Sequence, residues 1–161
     1  LMIMKLLGSL LILITISVSA SWDYPLPKGV KPSDYMFVVD IKNQHNYLFY
    51  KNTLIDSFPV STGSKTRYKG NRTLPQGIWR LGQRIDKNLA PIYGARLIYM
   101  EKYNEKTKQF RKTNRAFHGT NEPHNIGKPT SMGCVYHYDE DIIYLYSFIP
   151  NHTLVVSVES I

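Results

Sequence analysis

Short apolar runs separated by turn residues are the feature that most constrains what this chain can fold into. The runs are residues 35–41, 46–50, 54–60, 78–81, 97–103, 109–117 and 152–158. Lys51-Asn52-Thr53 separates the second run from the third at hairpin spacing, and residues 104–108 do the same for the fifth and sixth. Runs of this length, rich in β-branched and aromatic residues, predict strands of a mostly-β domain.

One segment of the chain predicts a helix. Residues 139–148 (DEDIIYLYSF) begin with acidic residues, which the helix dipole favours, and Pro150 follows the last turn. The residues that would share one face are Ile142, Leu145, Tyr146 and Ile149. At 161 residues and 43% hydrophobic content, the chain predicts a single domain with a real core and excludes a disordered tail. The predicted fold is a single-domain β-sandwich of mixed sheets, mostly β, with one short helix after the cysteine.

The first twenty residues have the pattern of an export signal. Lys5 precedes an apolar run of 13 residues, 6–18, which suits a signal peptide and is shorter than the ~20 residues needed to span a bilayer. Val18-Ser19-Ala20 places small residues before a cleavage point at Ser21. We therefore predict a signal peptide (1–20), an extended proline-containing arm (21–34) and a domain (35–161), with contact to the membrane only through the signal peptide during export. An uncleaved N-terminal anchor is the alternative.

Positive charge is concentrated in the middle of the chain. The net charge is +8, and residues 65–115 hold 14 Lys and Arg against three acidic residues. This stretch fits either solvated loops and outer strand faces or a surface that meets a polyanion. Predicted export and the lack of a recognition motif argue against nucleic acid as the partner. An anionic polymer of the cell envelope fits the predicted compartment better.

The single cysteine, Cys134, excludes an intramolecular disulfide framework and a multi-cysteine zinc cage. It follows Gly133, and glycine lets the backbone turn sharply and expose N–H groups that stabilise a thiolate or an oxyanion. A thiol of ordinary pKa, about 8.5, is mostly protonated at neutral pH and needs a base to become a nucleophile. His118 is the candidate base; it lies 16 residues upstream, and Gly127 and Pro129 permit the chain to fold back.

Spacing alone leaves two other interpretations of this segment open. Cys134 and His118 could be a buried structural thiol and a hydrogen-bonded core histidine. Cys134 and His137, together with His118 or His124, could instead form a catalytic zinc site.

The segment resembles the catalytic signature of the L,D-transpeptidase family (YkuD-type domain). The residues that carry the resemblance are His118-Gly119-Thr120-Asn121, Ile126-Gly127 and Ser131-Met132-Gly133-Cys134-Val135. Further similarity lies in the opening hairpin (37–50), in Val60-Ser61-Thr62-Gly63, in Thr73-Leu74-Pro75-Gln76-Gly77, and in Asp141, Ile142 and Leu145 of the predicted helix. The resemblance covers roughly residues 35–158.

The resemblance implies a role for each residue of the signature. Cys134 is the acylated nucleophile, and His118 is the base that activates it and later serves the acceptor. The Gly119 carbonyl orients the imidazole, and Ser131 shapes the loop. The backbone N–H groups of Gly133 and Cys134 form the oxyanion hole.

The chain departs from the family pattern at two positions. Met132 stands where members often carry His, and Tyr136 stands where most carry Arg. A tyrosine cannot present the guanidinium fork that binds carboxylates or carbonyls bidentately, so Lys128 or a residue of the basic stretch is a candidate to compensate. The candidate substrate-binding residues are Tyr136, Asn121, Thr120 and Lys128.

The implied reaction is acyl transfer through a thioester, without metal or organic cofactor. Cys134 attacks the L,D-amide between the third and fourth residues of a peptidoglycan stem tetrapeptide, and D-Ala leaves. The acceptor is an amine of a second stem (a 3–3 cross-link), water, or a lysine of an envelope protein. The implied location is the periplasm or another exported site in the bacterial envelope. Two alternatives are a peptidoglycan-binding protein with impaired catalysis, suggested by Tyr136, and a zinc-dependent envelope hydrolase.

Overall fold

The structure, a computed structural model, describes residues 24–161. The predicted signal peptide (1–20) and the first three residues of the predicted arm lie outside this range. Residues 24–34 are irregular, with a turn at Lys28 and Gly29. Within the described range, no helix is long and apolar enough to cross a membrane.

The described chain contains eight strands and one α-helix. In chain order they are β1 (Tyr35–Asp40), β2 (His45–Tyr50), β3 (Thr53–Pro59), β4 (Gly77–Ile85), β5 (Leu97–Asn104), β6 (Gln109–His118), β7 (Val135–Tyr136), α1 (Asp139–Phe148) and β8 (Leu154–Val158). Single 3-10 turns occupy Pro91–Tyr93 and Pro123–Asn125. Every predicted strand and the helix are present, and β7 is a two-residue strand that the sequence did not predict.

The strands form one mixed sheet in the order β3-β2-β1-β8-β4-β5-β6-β7. β1 pairs with β8 and β6 pairs with β7 in parallel, whereas the other neighbours are antiparallel. Isolated bridges from Ser61 to Tyr136 and from Gly63 to Ser131 join the chain after β3 to the opposite edge, so the sheet curls until its two edges meet. The predicted mostly-β class with mixed pairing and one helix is confirmed, with the strands continuous in one curled sheet.

The core fills the inside of this curl and is closed by α1. Phe37 of β1 meets Phe117 of β6 edge to face, with ring centroids 5.3 Å apart. The other large members include Leu48, Trp79, Leu81, Ile98, Met100, Ile142, Leu145 and Ile149. Three of the four residues predicted for the inner face of α1 are buried, and Tyr146 is partly buried against them. Because Phe117 and Val135 belong to this core, β6 and β7 are held in a defined position beneath the site.

A bulge in β6 interrupts the pairing with β5. Tyr99 pairs with Ala116 and Glu101 pairs with Lys112, so three residues of β6 stand opposite Met100 alone. The Thr113 hydroxyl donates to the Met100 carbonyl at 2.6 Å and accepts the Arg115 N–H at 3.0 Å, which satisfies backbone groups that the ladder leaves unpaired. Bulges change the direction of the side chains in and beside them, and this one lies next to Cys134.

Candidate active site

The parallel pairing of β6 with β7 brings Cys134 and His118 to one face of the sheet. Phe117 pairs with Val135 and His118 with Tyr136. Phe117 and Val135 point into the core, and side chains alternate along a strand. His118, Tyr136 and Cys134 therefore share the other face, with Cys134 one strand away from His118. This pairing brings together His118 and Cys134, which are 16 positions apart in the sequence.

His118 is enclosed and held in one tautomer. Its Nδ1 lies 2.6 Å from the Gly119 carbonyl oxygen, which can only accept, so Nδ1 carries the proton and Nε2 is the free acceptor. The rings of Tyr136 and Tyr93 lie 4.4 and 5.2 Å from the imidazole, centroid to centroid. Burial lowers the pKa of His118 to about 4, although the Gly119 hydrogen bond and the charge of Asp139 act in the opposite direction. The imidazole is therefore neutral at neutral pH and able to take a proton at Nε2.

Asp139, the first residue of α1, braces the segment that orients His118. Its Oδ1 accepts the backbone N–H groups of Ala95 at 3.1 Å and Thr120 at 3.2 Å. A Cβ on Gly119 would collide with this carboxylate. Glycine at that position thus allows a close approach that fixes the carbonyl hydrogen-bonded to His118. From the sequence, Asp139 was predicted only as an acidic residue at the helix start.

The Cys134 thiol lies half-buried beside the bulge of β6. Its Sγ is 3.7 Å from the Asn114 carbonyl oxygen. Burial raises the pKa of the thiol, while a backbone hydrogen bond from Ala116 and the charge of Arg115 lower it by less. The resting side chain is therefore a neutral thiol that needs a base, and His118 is the neutral acceptor on the same face.

The turn before Cys134 is tied down by Ser131. The Ser131 hydroxyl donates to the Cys134 carbonyl at 2.6 Å and accepts the Gly133 N–H at 3.1 Å. The Ser131 backbone N–H donates to the Thr62 carbonyl at 2.9 Å, which anchors the turn to the segment after β3. Ser131 thus links three backbone groups of this turn and its neighbouring segment. The Gly133 N–H, expected in an oxyanion hole, is instead directed to the serine hydroxyl in this structure.

Arg115 is the residue at this turn that the sequence analysis did not single out. Its Nη1 donates to the Met132 carbonyl at 2.8 Å. Its guanidinium occupies the space where a Cβ on Gly133 would lie, and Gly133 has a φ of 108°, a backbone conformation that favours glycine. The sequence signal was only membership of the basic stretch, because the bulge that aims the side chain is a tertiary feature.

The four candidate substrate-binding residues fall into two groups. Tyr136 and Thr120 are buried; the first packs against His118, and the hydroxyl of the second accepts the Glu122 N–H at 3.0 Å. Asn121 and Lys128 are exposed on the loop between β6 and β7. The structure places Tyr136 next to the cysteine and histidine, and the substrate contacts of all four stay predictions.

His137 points away from the cysteine, into the core. It is fully buried, with Phe58 and Phe117 around its ring, and its Nε2 lies 3.0 Å from Asn46 Nδ2. Burial lowers the pKa of His137 to about 3. The sheet thus separates it from Cys134, a geometry that does not fit the zinc hypothesis built on these two residues. Among residues 24–161, no group of three or more His, Cys, Asp and Glu side chains is arranged to hold a metal.

An open groove of about 560 Å³ crosses β4, β5 and β6. It is lined by Gln83, Ile85, Tyr99, Met100, Glu101, Lys112, Thr113 and Asn114. Asn114 belongs to this lining and also contacts Cys134 Sγ. The groove, called here the β4–β6 groove, therefore shares Asn114 with the surroundings of the thiol and presents both an acidic and a basic side chain.

Comparison with known proteins identifies one family. The YkuD family model, described as the L,D-transpeptidase catalytic domain, matches residues 34–156. Over 121 residues the chain is 46% identical to "Putative L,D-transpeptidase YkuD" of Bacillus subtilis, covering 75% of this chain and 64% of that protein. The protein of the same name from Bacillus licheniformis is 27% identical over 141 residues, covering 86% of this chain and 75% of that one.

Solved structures with a similar fold include an L,D-transpeptidase. The crystal structure of the L,D-transpeptidase (residues 123–326) from Xylanimonas cellulosilytica superposes with a TM-score of 0.59 at 21% identity. The match covers 84% of this chain and 65% of that one. At this identity the likeness shows a shared fold.

Proposed function

The chain belongs to the YkuD family of L,D-transpeptidase catalytic domains, and from that membership we propose that it is an exported cysteine acyltransferase acting on peptidoglycan stem peptides. The observation that carries the proposal is the neutral His118 imidazole, held by Gly119 with Nε2 free, on the same sheet face as the single thiol of the chain. The β4–β6 groove, which shares Asn114 with the surroundings of the thiol, supports the proposal by supplying room for a peptide.

Acylation begins with proton transfer from the Cys134 thiol to Nε2 of His118. As this proton moves, Sγ forms a bond to the carbonyl carbon of the L,D-amide between the third and fourth stem residues. The tetrahedral intermediate then collapses, the C–N bond breaks, and the imidazolium returns its proton to the departing amine of D-Ala. The product is a thioester between Cys134 and the tripeptide stem.

Deacylation reverses these roles at the same two residues. His118 takes a proton from the incoming amine, whose nitrogen attacks the thioester carbonyl. The C–S bond breaks and the thiol recovers its proton. An amine of a second stem gives a 3–3 cross-link, water gives an L,D-carboxypeptidase, and a lysine of an envelope protein gives a covalent anchor. We propose the second stem as the main acceptor.

The oxyanion of the tetrahedral intermediate needs a preorganised donor. Because the Gly133 N–H is directed to Ser131, we assign the main donor to the backbone N–H of Cys134 itself. Such donors contribute about 2.7–4 kcal/mol to transition-state stabilisation in acyl-transfer enzymes. The position of the 131–134 turn therefore sets the rate of acylation.

Export rests on the sequence of residues 1–20, which has the charge, length and small residues of a signal peptide. The substrate is found outside the cytoplasmic membrane in bacteria, so we place the protein in the periplasm or otherwise in the cell envelope. No cofactor takes part in the proposed reaction.

Intact mass spectrometry with a disaccharide-tetrapeptide muropeptide tests the proposal. We expect a covalent adduct on Cys134 equal in mass to the disaccharide-tripeptide acyl group, with release of one D-Ala. The variant Cys134→Ala is expected to give no adduct. Binding of the muropeptide without adduct or D-Ala release would contradict the enzyme and favour a peptidoglycan-binding protein. Adding a second muropeptide then separates cross-linking from hydrolysis by the mass of the product.

A further inference from the structure

A guanidinium from the neighbouring strand supports the turn that precedes the nucleophile. Arg115 Nη1 donates to the Met132 carbonyl at 2.8 Å, and the same guanidinium packs over the Cα of Gly133. The Arg115 side chain is half-buried there. This contact acts on the two peptides immediately before Cys134, which are the ones that aim its backbone N–H.

The bulge of β6 directs the Arg115 side chain toward the turn before Cys134. In a regular strand Arg115 would project from the same face as Phe117, into the core. The three bulged residues opposite Met100 break this alternation, and the Thr113 hydroxyl stabilises the bulge through the Arg115 N–H. The charged Arg115 side chain therefore projects toward the 131–134 turn and not into the core.

Tyr136 of β7 also lies near the backbone of this turn. Burial raises the pKa of its hydroxyl to about 12, and an interaction with the Met132 backbone acts in the opposite direction. Tyr136 of β7 and Arg115 of β6 therefore both lie at the backbone of Met132, the phenol at its N–H and the guanidinium at its carbonyl. Tyr136 occupies the position at which most members of the family carry an arginine.

We propose that Arg115 is the positioning residue of this site: acting through the Met132 carbonyl, it holds the 131–134 turn in the geometry that acylation requires. The proposal rests on the proposed function for its substrate, but the role of Arg115 applies to any acyl donor. A misplacement of about 1 Å can cost about 10²-fold in rate.

Two reactions of the Cys134 thiol distinguish an effect on the position of the 131–134 turn from an effect on the reactivity of the thiolate. Acylation by p-nitrophenyl acetate passes through an oxyanion and depends on the turn, whereas alkylation by iodoacetamide needs the thiolate but forms no oxyanion. Both rate constants are measured against pH for the wild type, Arg115→Met and Arg115→Lys. Arg111→Met, on an exposed position of the same strand, is the matched control.

We expect Arg115→Met to lose about 10²-fold in acylation while its pH-independent alkylation rate stays within about 3-fold of the wild type. Arg115→Lys retains the charge but lacks the planar fork, so it is expected to lose at least about 10-fold in acylation with a thiol titration close to that of the wild type. Arg111→Met is expected to match the wild type in both reactions.

Three results would overturn the role of Arg115: acylation by Arg115→Met within about 3-fold of the wild type, a proportional loss in both reactions, or full acylation by Arg115→Lys. The first means no role, the second a general disturbance of the thiol, and the third a role of charge alone. A wild type that reacts with the ester but not with the muropeptide contradicts only the proposed substrate, because the ester reaction still tests Arg115.

Discussion

At the scale of single residues, the site works through burial more than through charge. His118 is only 1% exposed, because two tyrosine rings and its own strand cover it. Removing water from around an imidazole disfavours its charged form, which is why its pKa lies near 4. Burial of the Cys134 side chain likewise raises the pKa of its thiol, which therefore stays protonated at neutral pH. The residues are therefore a neutral pair that exchanges a proton only when a substrate is attacked.

This pairing predicts an unusual pH dependence of acylation. Because His118 accepts a proton only in its neutral form, the acylation rate constant should fall as the pH drops through about 4, and not through the ordinary histidine value of about 6.5. Stopped-flow kinetics with p-nitrophenyl acetate between pH 3.5 and 8 measure it. Tyr93→Ala, which opens the ring to water, should move the midpoint upward. A wild-type midpoint near 6.5 would contradict the enclosed imidazole.

At the scale of elements, α1 connects the core to the site at one end and to β4 at the other. Its first residue, Asp139, braces the segment that orients His118. Its last turn holds no basic residue of its own, so the orphan carbonyls there need other donors. Arg84 of β4 supplies them: it donates to the carbonyls of Tyr146, at 2.8 Å, and Ile149. Its Nε also donates to Asn151 Oδ1 at 2.9 Å.

Removing this cap should weaken the fold. Hydrogen bonds from a charged donor contribute about 1.5–3 kcal/mol, so we expect Arg84→Met to lower the free energy of unfolding by about 2 kcal/mol. Urea unfolding followed by tryptophan fluorescence measures it. Lys87→Met, an exposed change just beyond the same strand, is the control and should leave the free energy unchanged. A loss below about 0.5 kcal/mol, the usual range of surface changes, would contradict the capping role.

At the scale of the whole molecule, the cations of the basic stretch divide between structure and surface. Arg80 pairs with Glu101 at 2.6 Å, Lys102 lies over the Trp79 ring, and Arg84 and Arg115 bind backbone carbonyls. Lys65, Lys69 and Lys112 are among those exposed. Part of the stretch therefore serves the fold, and the exposed part remains the candidate surface for an anionic polymer.

Two buried neutral histidines should make the folded protein sensitive to acid. The pKa values of His118, about 4, and His137, about 3, lie below the unfolded value, so the unfolded chain binds more protons as the pH falls. The stability that the two neutral histidines contribute above about pH 6.5 is lost as the pH falls toward their pKa values. The loss is about 2 kcal/mol per histidine between pH 7 and pH 5.

Urea unfolding at pH 7 and pH 5 checks this expectation. His124→Gln, at an exposed position, should retain the full loss, whereas His137→Met should show a smaller difference between the two pH values. An equal loss in the wild type and in His137→Met would show that the core histidine does not contribute.

Much of the fold and the two central residues could be predicted from the sequence because they depend on local patterns. Short apolar runs, turn residues and an acidic helix start act over a few residues. They predicted α1 and most strands to within about two residues of their observed bounds, whereas β4, predicted over 78–81, runs from Gly77 to Ile85. The glycine before Cys134 and the glycine after His118 likewise pointed to a thiol and a base.

What escaped prediction depends on contacts between distant segments. The bulge of β6 arises from its register with β5, and it directs Arg115 to the turn. β7 is too short to carry a pattern of its own, and the Gly133 N–H is redirected by a hydroxyl two residues away. His137 was singled out as a possible ligand, but the alternation set by the pairing of β6 with β7 turns it into the core.

The sequence by itself determined that this chain forms a mostly-β domain with one thiol, one candidate base and the motif spacing of its family, because those properties depend on residue type and local order. Only the tertiary structure decided how the site is supported. Asp139 behind Gly119, Arg115 over Gly133 and the enclosure of His118 all depend on the curl and register of the sheet. Strand register and burial arise from long-range packing, which determines where a side chain points and how much water reaches it.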